Sequence, residues 1–194
     1  MSDQHLREVL IASEELFKGD FLHAFRDSVK LPSGACSTRE YIVHPGAVMV
    51  IPMLFDADGN VRLVLEKQYR YPLKQVMIEF PAGKLDKNEL SLQCAKRELR
   101  EETGYSASQW ARAGVLHPVI SYSTEFIDIW FARDLTLGIR HLDDGEFLDV
   151  FTATPAELLE WCCDGYVTDA KTLSAALWLQ NVLSGAWTLE WHVQ

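Results

Sequence analysis

The segment Lys96–Tyr105 reads KRELREETGY, and six of its first seven residues are charged. Glu98 and Glu102 stand four residues apart and share a helical face, with Glu101 one turn from Glu98. Leu92, Ala95 and Leu99 form an apolar stripe on the same helix, so the carboxylates cover an arc beside the buried face rather than opposite it. Left alone, this arrangement is unfavourable. Like charges at this spacing destabilise a helix by about 0.2–0.5 kcal/mol per pair, and glutamates in the last turn oppose the helix dipole. Two readings are open. Lys96, Arg97 and Arg100 could neutralise the acids on a solvated face. Alternatively, a hard divalent cation, Mg²⁺ or Mn²⁺ rather than Zn²⁺, could relieve both penalties through clustered carboxylate oxygens.

The elements that must position these acids follow from periodicity and turn chemistry. The helix LSLQCAKRELREETG can be capped by Asn88 or Ser91, and Gly104 is placed to end it in the left-handed conformation. Ahead of it, KGD (Lys18–Asp20), LPSG (Leu31–Gly34) and DADGN (Asp56–Asn60) punctuate strand-like runs. Asp-Gly between AVMVIPMLF and VRLVLEKQYR predicts an antiparallel hairpin with Ala47–Phe55 largely buried. VMIEFPAG is expected as a short strand ending at Pro81, and further strands at Trp110–Leu116, Glu125–Ala132 and Phe147–Thr152. Two helices follow, TPAELLEWCCDG, with Thr154 as cap and Pro155 in the first turn, and DAKTLSAALWLQNVLSG. This order predicts an α+β or layered α/β/α domain over residues 46–194, with residues 1–45 as a strand-rich arm.

Composition bounds the function. A chain of 194 residues, 48% apolar, fits one domain with a short appendage and needs no staples to form a core. Its four cysteines show no CxxC pair, a usage suited to a reducing, cytoplasmic setting. The start, MSDQHLREVL, has no apolar h-region, and no apolar run reaches membrane-spanning length, so neither signal peptide nor membrane partner is expected. A net charge of −10 argues against nucleic acid as a partner; an anionic substrate would need local basic groups or a metal ion. GxSxG, GxGxxG, P-loop and HExxH patterns are absent.

The flanks decide between the two readings of the acidic helix. Gly83, Glu89, Arg97, Glu98, Glu101, Glu102 and Gly104 fill the fixed positions of GX5EX7REUXEEXGU, the signature of the Nudix hydrolases, which this chain resembles. Seven such residues coincide by chance at roughly one start position in a billion. Tyr105 stands where an aliphatic residue is more usual. The resemblance implies a strand–loop–helix–loop unit in an α/β/α sandwich with a mixed sheet. It also implies that Glu98, Glu101 and Glu102, with the carbonyl of Ala82, bind Mg²⁺ or Mn²⁺ at a pyrophosphate. Arg97 would orient carboxylates, and Glu89 would sit at the helix entrance as a supporting or ancillary metal ligand.

REYIVHPGAVMVIPM, EKQYRYP and IEFPAGKLD further resemble the branch of ADP-ribose pyrophosphatases and nucleoside diphosphate sugar hydrolases. That likeness implies a homodimer joined through an N-terminal antiparallel strand arm. It also implies Arg70 and Glu79 as substrate contacts, and Glu146, in LDDGEF, as a loop glutamate that deprotonates water or binds metal. A box glutamate is the other candidate base. Many ADP-ribose-specific members carry an SPG-like turn where this chain reads HPVISYSTEF, and there Tyr122 could stack on a base or ribose or belong to the core. The implied reaction is Mg²⁺-dependent cleavage of ADP-ribose to AMP and ribose 5-phosphate, or of another nucleoside diphosphate derivative. A non-catalytic nucleotide sensor is the contrasting reading, and the complete set of box glutamates weighs against it.

Overall fold

The computed structural model describes residues 3–193 and divides into two compact units. The first contains residues up to Pro45 together with Val119–Phe126. After a 3₁₀ turn at Asp3–Leu6, β1 (Val9–Lys18), β2 (His23–Lys30) and β3 (Cys36–Ile42) form an antiparallel sheet in that order. KGD and LPSG make its two turns, as their glycines and prolines favour. The 119–126 segment joins this unit through the backbone: the Ile42 N–H donates to Tyr122 O at 2.9 Å, and the Thr124 N–H donates to Ile42 O at 3.0 Å.

The second unit holds the remaining residues, from Gly46 to Pro118 and from Ile127 onward. Its strands are β4 (Ala47–Phe55), β5 (Val61–Arg70), β6 (Gln75–Glu79), β7 (Ala82–Lys84), β8 (Tyr105–Leu116), β9 (Ile127–Leu137), β10 (Leu148–Ala153) and β11 (His192–Val193). They form one mixed sheet, β10-β5-β4-β9-β8-β11, with β6 paired to β5 and β7 to β4. Only β4 and β9 run parallel among these pairs. The helices are α1 (Ser91–Thr103), α2 (Pro155–Cys163) and α3 (Ala170–Leu183). No helix among the described residues is long and apolar enough to cross a membrane.

Strand alternation explains the layering. Met49, Ile51 and Met53 of β4 pack into a core with Leu158 of α2 and Ala175, Ala176 and Leu179 of α3. Val48 and Val50 point the other way, onto Cys94, Ala95 and Leu99 of α1. The sheet is therefore covered on both faces, the α/β/α sandwich expected from the sequence. The Trp130 Nε1–H donates to Ser91 Oγ at 2.7 Å, tying the start of α1 to β9.

Several boundaries differ from the sequence reading. Leu90, not Asn88 or Ser91, is the residue at the N-cap of α1; Asn88 is left-handed (φ 66°) in the preceding turn, and Ser91 Oγ accepts from Trp130 instead. VMIEFPAG is split into β6 and β7 around Phe80-Pro81, because proline has no N–H for the ladder. There, Pro81 O accepts the Val50 N–H at 2.9 Å. The strand expected at Trp110 already starts at Tyr105, directly after the left-handed Gly104 (φ 78°). The strand expected at Glu125–Ala132 is Ile127–Leu137.

Candidate active site

The helix α1 brings the box acids to the sheet by burying its apolar stripe. Leu99 and Ala95 are fully buried, and the adjacent Glu102 is drawn in with them, only 3% exposed. Glu102 Oε2 accepts the Ala82 N–H at 3.0 Å, so helix and β7 share this carboxylate. Gly83 sits so close to the Glu98 carboxylate that a Cβ there would overlap it. The glycine of the motif is thus a steric requirement of the glutamate beside it.

Arg97 organises the acids. Its Nε and Nη2 donate to the two oxygens of Glu89, both at 2.9 Å. Its Nη1 donates to Glu98 at 2.7 Å and to Glu101 at 3.1 Å. One planar guanidinium therefore fixes three carboxylates, which a lysine could not do in the same geometry. The Arg97 hydrogen bonds, above all, hold the Glu89 carboxyl down at about 2. Burial pushes Glu98 up to about 7 despite Arg97, and pushes Glu102 well above the carboxylate range, helped by the charges of Glu66, Glu98 and Glu146.

A second set of charges lines the neighbouring strands. Arg70, at the end of β5, donates to both oxygens of Glu79 on β6, at 2.6 and 2.7 Å. Lys171, in the first turn of α3, also contacts Glu79, and donates to Asp169 at 3.1 Å. Burial would raise the Glu79 carboxyl, but the Arg70 hydrogen bond and the charges of Lys171 and Arg70 hold it below its usual range. A cavity of about 480 Å³ opens beside this group, lined by Arg70, Met77, Glu79, Asp169 and Lys171.

Glu146 follows the left-handed Gly145 (φ 85°) in the loop before β10. Its Oε1 accepts from Gln68 Nε2 at 3.1 Å, which anchors the loop to β5. The second unit therefore gathers Arg70, Glu79, Ala82, Arg97, Glu98, Glu101, Glu102 and Glu146. Tyr122 lies in the first unit, with its side chain about half exposed (53%). Glu66, Gln68, Asp169 and Lys171 were not anticipated. Their signals were a lone glutamate in the apolar run VRLVLEKQYR and the capping sequence TDAKT, whose Asp169 accepts from the Thr172 N–H at 2.9 Å.

The residues fit a hard divalent cation. Among the described residues no group of three acidic, histidine or cysteine side chains is already placed to hold a metal ion. Mg²⁺ does not need one, since it keeps waters and takes one or two carboxylates plus substrate phosphates. The oxygen-only donors, the buried acids Glu98 and Glu102 at raised pKa, and the Glu98 carboxylate packed against Gly83 all suit that mode. Metal-free protein has a corresponding weakness. Glu98 (about 7) and Glu66 (about 8) keep protons in the folded chain that an unfolded chain releases near pH 4.3. The folded state then binds more protons across that window, so stability falls as pH rises from about 4.3 to about 8. The depressed acids Glu79 and Glu89 act only below it. Melting temperatures in chelator should decline between pH 5.5 and 8; a flat or rising profile would contradict the account.

The acids held by Arg97 and the two-sided sheet are what this chain brings to the comparison with known proteins, which gives its family. The family model for the NUDIX domain matches residues 43–174, and the chain belongs to the Nudix family. It is 35% identical over 177 residues to an ADP-ribose pyrophosphatase of Bacillus subtilis (strain 168), covering 90% of this chain and 94% of that one. It is 36% identical over 177 residues to a methanol dehydrogenase activator of Bacillus methanolicus, with 89% and 92% covered. The crystal structure of an ADP compounds hydrolase superposes with a TM-score of 0.83 at 22% identity, covering 95% of this chain and 98% of that one, a likeness of fold.

Proposed function

We propose that this enzyme hydrolyses the pyrophosphate bond of a nucleoside diphosphate linked to a sugar, with ADP-ribose giving AMP and ribose 5-phosphate. The observation that carries the reading is the Arg97-held set of Glu89, Glu98 and Glu101 beside Glu102. The likeness to the Bacillus subtilis enzyme along 90% of the chain supports the substrate.

In this reading Glu98, Glu101, Glu102 and the Ala82 carbonyl hold Mg²⁺, with Mn²⁺ able to replace it. A cation held there would neutralise the diphosphate, lower the pKa of the attacking water and stabilise the leaving oxygen. Arg97 keeps the carboxylates turned toward one point. Glu146 takes the proton from the water, and its loop carries it over the bound diphosphate. Arg70 is held at the mouth of the 480 Å³ cavity by Glu79 and contacts the substrate there, with Glu79 beside it. The cavity has room for one sugar or base. Tyr122, half exposed in the first unit, is a further candidate to stack on a base or ribose.

The protein works in the cytoplasm as a homodimer built through its first unit. β1 is an edge strand exposed along its whole length, with Val9, Ile11 and Phe17 each more than half exposed. A bare apolar edge of this kind is stabilised by pairing with a second copy. Sedimentation should give twice the 22.1 kDa chain mass; a monomer at micromolar concentration would remove the dimer.

The test of substrate is a panel of ADP-ribose, other nucleoside diphosphate sugars and dinucleotides, with Mg²⁺ or Mn²⁺ present. AMP and ribose 5-phosphate are expected, with ADP-ribose giving the highest kcat/KM. No nucleoside monophosphate from any member would defeat the enzyme reading, and a better substrate outside the ADP sugars would replace ADP-ribose.

A further inference from the structure

Glu66 has no part in the reaction proposed above. It is fully buried in β5, and both carboxylate oxygens lack a hydrogen-bond partner. Gln68 Oε1, two residues along, is also buried and unpartnered, while its Nε2 is committed to Glu146. Three orphan oxygens therefore stand in one row of one strand. Buried polar atoms are nearly always satisfied, so a row of bare acceptors calls for a donor or a cation that fits among them.

The row lies on the face of β5 from which Gln68 reaches the Glu146 loop. Val61, Leu63 and Leu65 of β5 belong to the core with α2 and α3. Strand alternation then turns Glu66, Gln68 and Arg70 away from that core, with Lys171 of α3 reaching the Arg70–Glu79 pair at the strand end. Glu79 sits directly across from Glu66 in the β5–β6 ladder, between Ile78 and Phe80, which belong to the α2/α3 core, so its side chain shares the Glu66 face. Like charges in directly opposed positions repel. Glu79 takes hydrogen bonds from Arg70 and Lys171, whereas Glu66 feels the charges of both but accepts a hydrogen bond from neither.

We propose that Glu66 is a further oxygen ligand for the divalent cation held by the box carboxylates, reaching it from the sheet side opposite α1. The inference rests on the metal-dependent reading above and adds a residue outside the motif. It explains why an acid is built into an otherwise apolar strand segment with no partner for either oxygen. It also makes β5 a shared scaffold, on which Glu66 meets the cation, Gln68 anchors the Glu146 loop and Arg70 faces the cavity.

Mn²⁺ titration of the full chain without substrate, read by calorimetry or paramagnetic resonance, tests this independently of turnover. Glu66→Gln should raise the Mn²⁺ Kd at least about tenfold. Its metal-free melting temperature should hold or rise, because an uncompensated buried acid is gone, while the increment on adding Mn²⁺ shrinks. Glu66→Asp keeps the charge but withdraws it by one methylene, and should bind with intermediate affinity. Wild-type Mn²⁺ affinity in Glu66→Gln, or in Glu66→Asp if the amide variant does not fold, would overturn the proposal. So would a lowered metal-free melting temperature with an unchanged Mn²⁺ increment, the mark of a structural residue. Glu102→Gln separates the two levels. If it loses Mn²⁺ while Glu66→Gln does not, only the role of Glu66 falls. A wild-type chain that binds no Mn²⁺ removes both.

Discussion

Glu102→Gln should lower turnover of ADP-ribose by about 10³-fold while leaving the fold intact. The two halves of that expectation come from the same geometry. Glu102 is 3% exposed, and one of its oxygens accepts the Ala82 N–H. A glutamine keeps that acceptor and fills the same volume. Without metal, burial and the charges of Glu66, Glu98 and Glu146 already favour the neutral acid, so the amide resembles the form the metal-free fold prefers. Metal-free melting should therefore be unchanged or slightly raised. The loss falls on the state with cation and diphosphate bound, where an ionised carboxylate is required. Steady-state kinetics at saturating Mg²⁺, beside a melting curve in chelator, read the two halves separately. Turnover within tenfold of wild type would remove Glu102 from the metal site, and a collapsed melting curve would reassign it to folding.

Glu146→Gln should lower kcat by about 10²–10⁴-fold, the range of a general base, while Mn²⁺ affinity stays near that of wild type. Glu146 sits on a loop rather than on α1, and its one side-chain hydrogen bond is from Gln68. A glutamine can still accept that bond through its amide oxygen, so the loop keeps its anchor. What disappears is the capacity to take a proton. A kcat close to wild type would pass the base to a box glutamate. A large fall in Mn²⁺ affinity would make Glu146 a ligand instead.

The placement of the α1 acids was legible in the sequence because a helix period and a fixed motif coincide there. Leu99 had to be buried, and that placed Glu98 and Glu102 beside the sheet, where they lie. Turns carrying Asp-Gly or Pro-Ser-Gly were legible for the same local reason, as was Thr154 capping α2 by accepting the Glu157 N–H. The features that escaped depend on contacts distant in the chain. Ser91 looks like a cap until Trp130, far along in β9, donates to it. Lys171 meets Glu79 across 92 residues, so TDAKT reads only as a helix start. Residues 119–126 belong to the first unit through backbone bonds to Ile42, which no periodicity signals. Glu66 was visible as an oddity in VRLVLEKQYR, but its isolation is evident only once Arg70 and Lys171 are seen to be committed to Glu79. The early start of β8 was hidden by the polar run YSASQ, whose residues alternate between partly buried and exposed without an apolar stripe.

Everything rests on one coupling, between the carboxylates gathered around α1 and cleavage of a diphosphate. The most direct measurement is the initial rate of AMP release from ADP-ribose by the purified protein, with Mg²⁺ varied from none, in chelator, to millimolar. The account predicts no release in chelator, a saturable rise with Mg²⁺, and full recovery when the cation is returned to chelated enzyme. AMP release that persists in chelator, or its absence at every Mg²⁺ concentration, would contradict it.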